Sequence, residues 1–247
     1  MCCRCDRSVA ITAAPHPSGA SGSRGRRVRG RTSTMPLPTT PDELLSTTRA
    51  VRKRLDFDRP VPRELVMECA DLAFQSPTGS NRQDWSFVLI DDPAKKAAIA
   101  DLYGQSFDKY ATAPGVAYAT GDTRGERSGA VRDSATYLRE NFHRVPVMVI
   151  PCRAGRIGGE NSSSSPSFFG SILPAFWSFM LAARARGLGT AWTTLHLAFE
   201  KEAADILGIA FDDVTQCGLS PLAYTLGTDF KVAPRLDTDS LVHWNDW

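Results

Sequence analysis

Apolar residues along this chain follow two rhythms, and the places where the rhythm changes predict most of its elements. In RPVPRELVMECADLAFQSP, residues 59–77, Leu65, Val66, Cys69, Ala70, Leu72 and Ala73 recur at helical spacing behind Pro62. In 39–55, Thr40 or Asp42 can cap a helix with acids in its first turn. Leu44, Leu45, Val51 and Leu55 give that helix an apolar side as far as its basic end. Unbroken apolar runs predict strands at Ser86 to Ile90, at Val145 to Cys152 (buried on both faces), at LGTAWTTL and at TQCGLSPLAYTLG. Further helices are expected from Pro93 to about Tyr103, from about Gly170 to Arg186 with Gly187 as its cap, and over AFEKEAADILGI. Between Ser106 and Asn141 the pattern is weak: TGDTRGERSGA reads as a mobile loop, and further on RIGGENSSSSPS as a Gly/Ser loop. The C-terminal RLDTDSLVHWNDW reads as an arm whose Leu241, Val242 and Trp244 need a surface to cover. Strands alternating with helices, without internal repeats, make an α/β or α+β domain.

Composition changes the picture at one end only. The 247 residues, 42% hydrophobic and 23% charged, are those of a soluble globular protein. The net charge of +2 conceals a split: residues 1–34 carry seven arginines and one acid, or +6, and leave the remainder at −4. An acidic body argues against a nucleic-acid-binding surface. The tail, rich in Arg, Ser and Gly, is too poor in large apolar residues to offset the entropy of ordering, so residues 1–40 are expected to be disordered. It lacks the apolar core of a secretory signal and superficially resembles a transit peptide; a true start at Met35 is the preferred reading. ILPAFWSFMLAA, Ile172 to Ala183, is too short for a bilayer, and no membrane span is expected. Cys2, Cys3 and Cys5 lack the second cluster that a structural zinc site needs, so no metal is assigned. Cys69, Cys152 and Cys217 read as core thiols in a reducing, cytoplasmic compartment.

Candidate chemistry is sparse. The chain contains no GxSxG, GxxxxGK[ST] or HExxH. His143, His196 and His243 have no acid or cysteine at ligand spacing and read as structural. The glycines Gly187 and Gly189 follow a helix and precede a strand, the reverse of a dinucleotide fingerprint. Four polar clusters remain. Arg49 and Arg52, three apart on the expected helix, could grip one anion, or equally form a solvated basic helix end. The turn Ser80–Gln83 carries more polar side chains than a connection already served by Pro77 and Gly79 needs, although turns are polar in any case. Thr193 and Thr194 interrupt an apolar run, where Thr is also ordinary β-branched filler. Lys231 and Arg235 near the C-terminus complete the set, and are equally plausible as solvated charge.

Together these clusters are informative. TTRAVRKRLDFDRPVP, SPTGSNRQDWSFVLI, ARGLGTAWTTL and KVAPRLD resemble successive signatures of the FMN-dependent nitroreductase family, over about Pro41 to Trp244. FFGSILPAFWSFMLAARARGLGT is similar to the family's long central helix. The resemblance implies an α+β fold: a mostly antiparallel sheet flanked by helices, with a C-terminal arm, over residues 41–247. It implies that Arg49, Arg52 and Arg235 hold the FMN phosphate, with Ala50 at the position of a common Ser. It assigns Ser80, Asn81 and Gln83 to the ribityl chain or ring, and Trp192, Thr193 and Thr194 to the isoalloxazine. Thr48 stands where the family often has a first arginine, and Asp84 where it usually has proline before the turn's Trp85. The implied activity is a ping-pong NAD(P)H oxidoreductase, with NADH or NADPH as donor and a nitro, quinone or related small-molecule acceptor. Such proteins are usually homodimers. Alternatives on the same signatures are a flavin-fragmenting or dehalogenating relative, and a non-catalytic flavin-binding protein.

Overall fold

The computed structural model of the chain describes residues 40–120, 122–157 and 163–247. The expected disordered tail and its three cysteines therefore lie outside the described residues, apart from Thr40.

A six-stranded antiparallel sheet runs in the order β1 (Leu55–Asp56), β6 (Ser220–Thr225), β3 (Val147–Ala154) and β2 (Trp85–Ile90). Two short strands join it, β4 (Leu188–Thr190) on β6 and β5 (Val214–Gln216) on β3. Side chains alternate between two cores. Met148, Ile150 and Cys152 of β3 enter one, with Ala223 of β6; Val147 and Val149 enter the other, with Leu222 and Tyr224. Helices α3 (Pro93–Thr112), α5 (Ser128–Asn141) and α8 (Glu200–Leu207) cover the first core, and α2 (Arg63–Ala73) and α7 (Leu173–Arg184) the second. That double cover is why β3 reads as one apolar run although all its neighbours are antiparallel. The architecture is α+β, with three further helices: α1 (Pro41–Thr47), α4 (Thr123–Glu126) and α6 (Ser164–Phe169).

The apolar stretch Ser164–Arg184 is longer than its sequence suggested, and is long and apolar enough to cross a membrane. Within it, however, Phe176, Phe179 and Ala183 of α7 are fully buried in the second core. Gly187 ends that region with φ +74°, the left-handed conformation expected of a helix-terminating glycine.

Several elements differ from the sequence reading, each for a local reason. Thr40 does cap α1, in a reciprocal pair with Glu43, but the helix stops at Thr47 instead of reaching Leu55. The hydroxyls of Ser46, Thr47 and Thr48 donate back to the carbonyls of Asp42, Glu43 and Leu44 at 2.6, 2.6 and 2.5 Å, competing with the helical ladder. Val51 N–H instead donates to the Thr190 carbonyl, so residues 49–51 run beside β4. Helix α3 continues to Thr112 because Ile99, Tyr103 and Phe107 keep a four-residue apolar spacing into the core. The expected mobile loop contains α4, capped by Asp122, and the start of α5, whose apolar signal is hidden because Leu138 is its one buried residue. Helix α6 begins within the expected Gly/Ser loop. The strand expected over LGTAWTTL ends at Thr190: opposite Ala191 the register reaches Pro221, which has no N–H, and Ala191 N–H donates to Ser220 Oγ at 3.0 Å; beyond it Thr193 makes one bridge to Leu219. The expected last strand is two, β5 and β6, parted at Cys217–Leu219. A Cβ on Gly218 would stand 3.1 Å from Trp192 Nε1, so the break makes room for that indole.

Candidate functional site

Because α1 ends early, Arg49 and Arg52 do not share a helical face. Arg49 turns toward the C-terminal segment, where its Nε donates to the Lys231 carbonyl at 2.7 Å and its second guanidinium arm reaches the same oxygen. Burial, then the charges of Arg235 and Arg127, hold the Arg49 pKa below its usual value. The Arg235 charge thus lies close enough to act on Arg49. None of Arg49, Arg127 and Arg235 has a carboxylate partner among the described residues. Like charges gathered without acids repel, and an anion between them removes that repulsion.

Arg52 points elsewhere. Its Nη1 lies 3.5 Å from Ser134 Oγ on α5, and its charge acts on buried Tyr103 of α3. Burial raises the Tyr103 pKa, while the neighbouring Thr193 side chain and the Arg52 charge oppose the rise. Arg52, Tyr103, Ser134 and Thr193 therefore form a second polar group beside the first. Thr193 is held by paired backbone hydrogen bonds with Leu219 at 2.9 and 2.8 Å, Trp192 packs edge-on against Phe176 at 4.8 Å, and exposed Thr194 starts the following turn. Ala50 bridges Thr190 and is exposed.

The turn Ser80–Gln83 is a third group, without a hydrogen bond to either of the others among the described residues. Ser80, Asn81 and Gln83 are exposed and adopt φ of 54°, 53° and 50°, a conformation that costs a non-glycine residue about 1 kcal/mol or more. Hydrogen bonds hold it there: Gln83 N–H donates to Thr78 Oγ1 at 3.2 Å, Gln83 Nε2 to Asn81 Oδ1 at 2.9 Å, and Gly79 N–H to Ser171 Oγ at 3.0 Å. Behind it Arg153 pairs with Asp84 through both carboxylate oxygens, at 3.0 and 3.1 Å, and donates to the Phe168 carbonyl at 2.6 Å. Burial alone would raise the Asp84 pKa, but Arg153, with Arg82, holds it below the usual carboxylate range. Sequence reasoning missed Tyr103, Arg127 and Ser134. Tyr103 was concealed as one more apolar position of α3, and Arg127 and Ser134 by the weak pattern of α5.

The thiols of Cys69, Cys152 and Cys217 are buried, as expected, and burial pushes each up to about 12. They are not nucleophiles at neutral pH. His196 is completely buried with neither ring nitrogen hydrogen-bonded. Burial lowers its pKa to about 4, Glu200 and Gln216 offsetting only part of that effect. The unfolded chain, with a histidine near the ordinary 6.5, then takes up a proton before the folded one does. Stability should therefore fall as pH drops from about 6.5 toward 4, by about 3 kcal/mol in all, and be unaffected by this group above 7. Urea midpoints at pH 7.5, 6 and 5 should show the decline in the parent protein and a flatter profile in His196→Gln. Equal profiles would assign the acid sensitivity to other groups.

The sheet between two helical layers and the exposed polar groups around its β4 side define an α+β domain of nitroreductase type. The Nitroreductase family model matches residues 45–222, and the chain belongs to that family. Protein DrgA of Synechocystis sp. is 23% identical over 185 residues, covering 75% of this chain and 80% of that protein. Among solved structures, oxidized iodotyrosine deiodinase bound to FMN and 3-iodo-L-tyrosine superposes with a TM-score of 0.63 at 19% identity, covering 83% of this chain and 99% of that one. The FMN and NADPH-dependent nitroreductase NfnB from Sphigopyxis sp. strain HMH gives 0.62 at 20%, covering 85% and 100%. At these identities the two structures speak for the fold.

Proposed function

We propose that this chain is an FMN-dependent NAD(P)H oxidoreductase of nitroreductase type, acting on a nitro, quinone or related small-molecule acceptor. What supports it most is that the Arg235 charge acts on Arg49 and neither has a carboxylate partner among the described residues, which suits a phosphate dianion. Arg49 and Arg235 would hold that phosphate. Trp192, Thr193 and Thr194 would lie along the ring, and Arg52, beside Tyr103 and Thr193, would set a fixed positive charge near it. The left-handed turn would offer Ser80, Asn81 and Gln83 as preset hydrogen-bonding groups. Among the described residues that turn makes no hydrogen bond to Arg49, Arg52 or Arg235, so in a homodimer a second copy could present it. When bound, FMN supplies the redox chemistry, accepting hydride from NADH or NADPH and passing electrons to the acceptor. The protein contributes binding, orientation and charge, which agrees with inert thiols and a neutral, buried histidine. A cytoplasmic, reducing location fits those three free thiols.

The purified protein should be yellow with one FMN per chain, and should oxidise NADPH or NADH when given a nitroaromatic or a quinone. A colourless protein that fails to take up added FMN would refute this reading. Flavin uptake without turnover would favour a binding protein. Breakdown of the flavin after aerobic reduction, or loss of halide from a halogenated aromatic, would move the activity to the relatives that share these signatures.

A further inference from the structure

Two contacts fix α5 against the arginine segment: Arg52 with Ser134, and an ion pair between Lys53 and Asp133. Seven residues before Ser134, on the same helical face, Arg127 forms the N-cap of α5. Seven helical residues rise about 10 Å, and the three non-helical steps from Arg52 back to Arg49 also cover about 10 Å. Tyr137 of α5 stacks on Phe57 at 6.2 Å while Ser134 lies beside Arg52, so the helix runs in the same sense as residues 52–57 and its start lies toward Arg49, where the Arg127 charge depresses the Arg49 pKa together with that of Arg235. Arg127 has no carboxylate partner among the described residues, its side chain makes no cap hydrogen bond, and it is exposed. Asp122, before α4, and Asp133, on α5, are committed to Arg124 and Lys53, and Glu126, next to Arg127 in the chain, makes no ion pair with it.

We propose that Arg127 is a third ligand of the phosphomonoester site, supplied by the α4–α5 junction, and that this residue helps the chain discriminate FMN from riboflavin. The inference rests on the reading of Arg49 and Arg235 as a phosphate grip. It extends that grip to the α4–α5 junction, held in place by Ser134 and Asp133. With three cations, the site is matched to a dianion rather than to a carboxylate.

Titration of the flavin-free protein with FMN and with riboflavin tests it, using the parent, Arg127→Ala and Arg127→Lys. The parent should prefer FMN strongly. Arg127→Ala should lose on the order of tenfold in FMN affinity, the scale of one charge-assisted contact, with riboflavin affinity unchanged. Arg127→Lys should recover part of the loss, and the salt dependence of FMN binding should be shallower in Arg127→Ala. Equal losses for FMN and riboflavin would show a structural role and overturn the proposal, as would no loss for either. A loss confined to NADPH over NADH in turnover, with FMN affinity intact, would also overturn it and give Arg127 to the donor's extra phosphate. A parent that bound riboflavin as well as FMN would instead remove the phosphate grip itself.

Discussion

Replacing Arg235 by alanine should weaken FMN binding tenfold to a hundredfold or more while leaving riboflavin binding unchanged. A charge-assisted hydrogen bond is worth about 1.5–3 kcal/mol, and each 1.4 kcal/mol is a factor of ten in Kd. Arg49→Ala should do more harm. Arg49 binds the Lys231 carbonyl, and so tethers the segment that carries Arg235; its loss removes one charge and loosens a second. Arg52→Ala should behave differently, because Arg52 faces Ser134 and Tyr103 and is not in the Arg49 cluster. Its loss should weaken FMN and riboflavin about equally, as expected of a residue beside the ring. Calorimetric titration of the three variants with both flavins gives the pattern directly. If Arg235→Ala weakened both flavins alike, the arginine would be structural and the phosphate would lie elsewhere.

The fold was legible wherever burial imposes a period on the chain. The unbroken apolar runs of β2, β3 and β6, and the spacing of Leu65, Val66, Cys69 and Ala70 in α2, are direct consequences of facing a core on both sides or on one. Elements that face solvent carry no such signature. Helix α5 buries Leu138 and is otherwise secured by surface pairs such as Arg139 with Asp108, which the sequence spreads over 31 positions. The end of α1 was misread for a different reason. Its apolar positions continue at helical spacing to Val51 and Leu55, but both belong to the core beneath β1 and β4, and the run Ser46–Thr48 turns the chain toward it.

The candidate site was legible as residue types and illegible as geometry. The arginines and the polar turn stand out because a chain has little reason to crowd such side chains beside core strands. Which of them converge depends on partners distant in sequence: Arg49 on Lys231, and Arg52 on Ser134 and Tyr103. The same holds for the support of the turn. At position 84 this chain has an acid whose partner lies 69 residues away.

That acid carries the second large expected effect. Asp84 and Arg153 are nearly buried, with side chains 13% and 8% exposed, and each carboxylate oxygen takes one guanidinium hydrogen bond. Arg153 also stacks on the Phe168 ring at 4.4 Å and donates to the Phe168 carbonyl at the end of α6. One guanidinium thus joins the end of β3, the end of α6 and the base of the left-handed turn. Asp84→Ala leaves that cation buried and unpaired, a change that costs about 3–5 kcal/mol, a large part of an ordinary domain's 5–15 kcal/mol. The urea midpoint should fall accordingly. With the clamp gone, Ser80, Asn81 and Gln83 can relax from positive φ, so FMN and riboflavin affinity should fall together. The double variant Asp84→Ala/Arg153→Met removes both charges and should regain much of the stability, because an unpaired buried ion no longer remains. It should not regain the flavin affinity, since nothing then holds the turn. A loss under about 1 kcal/mol for Asp84→Ala, the scale of a solvated surface pair, would show that the turn keeps its shape without the clamp.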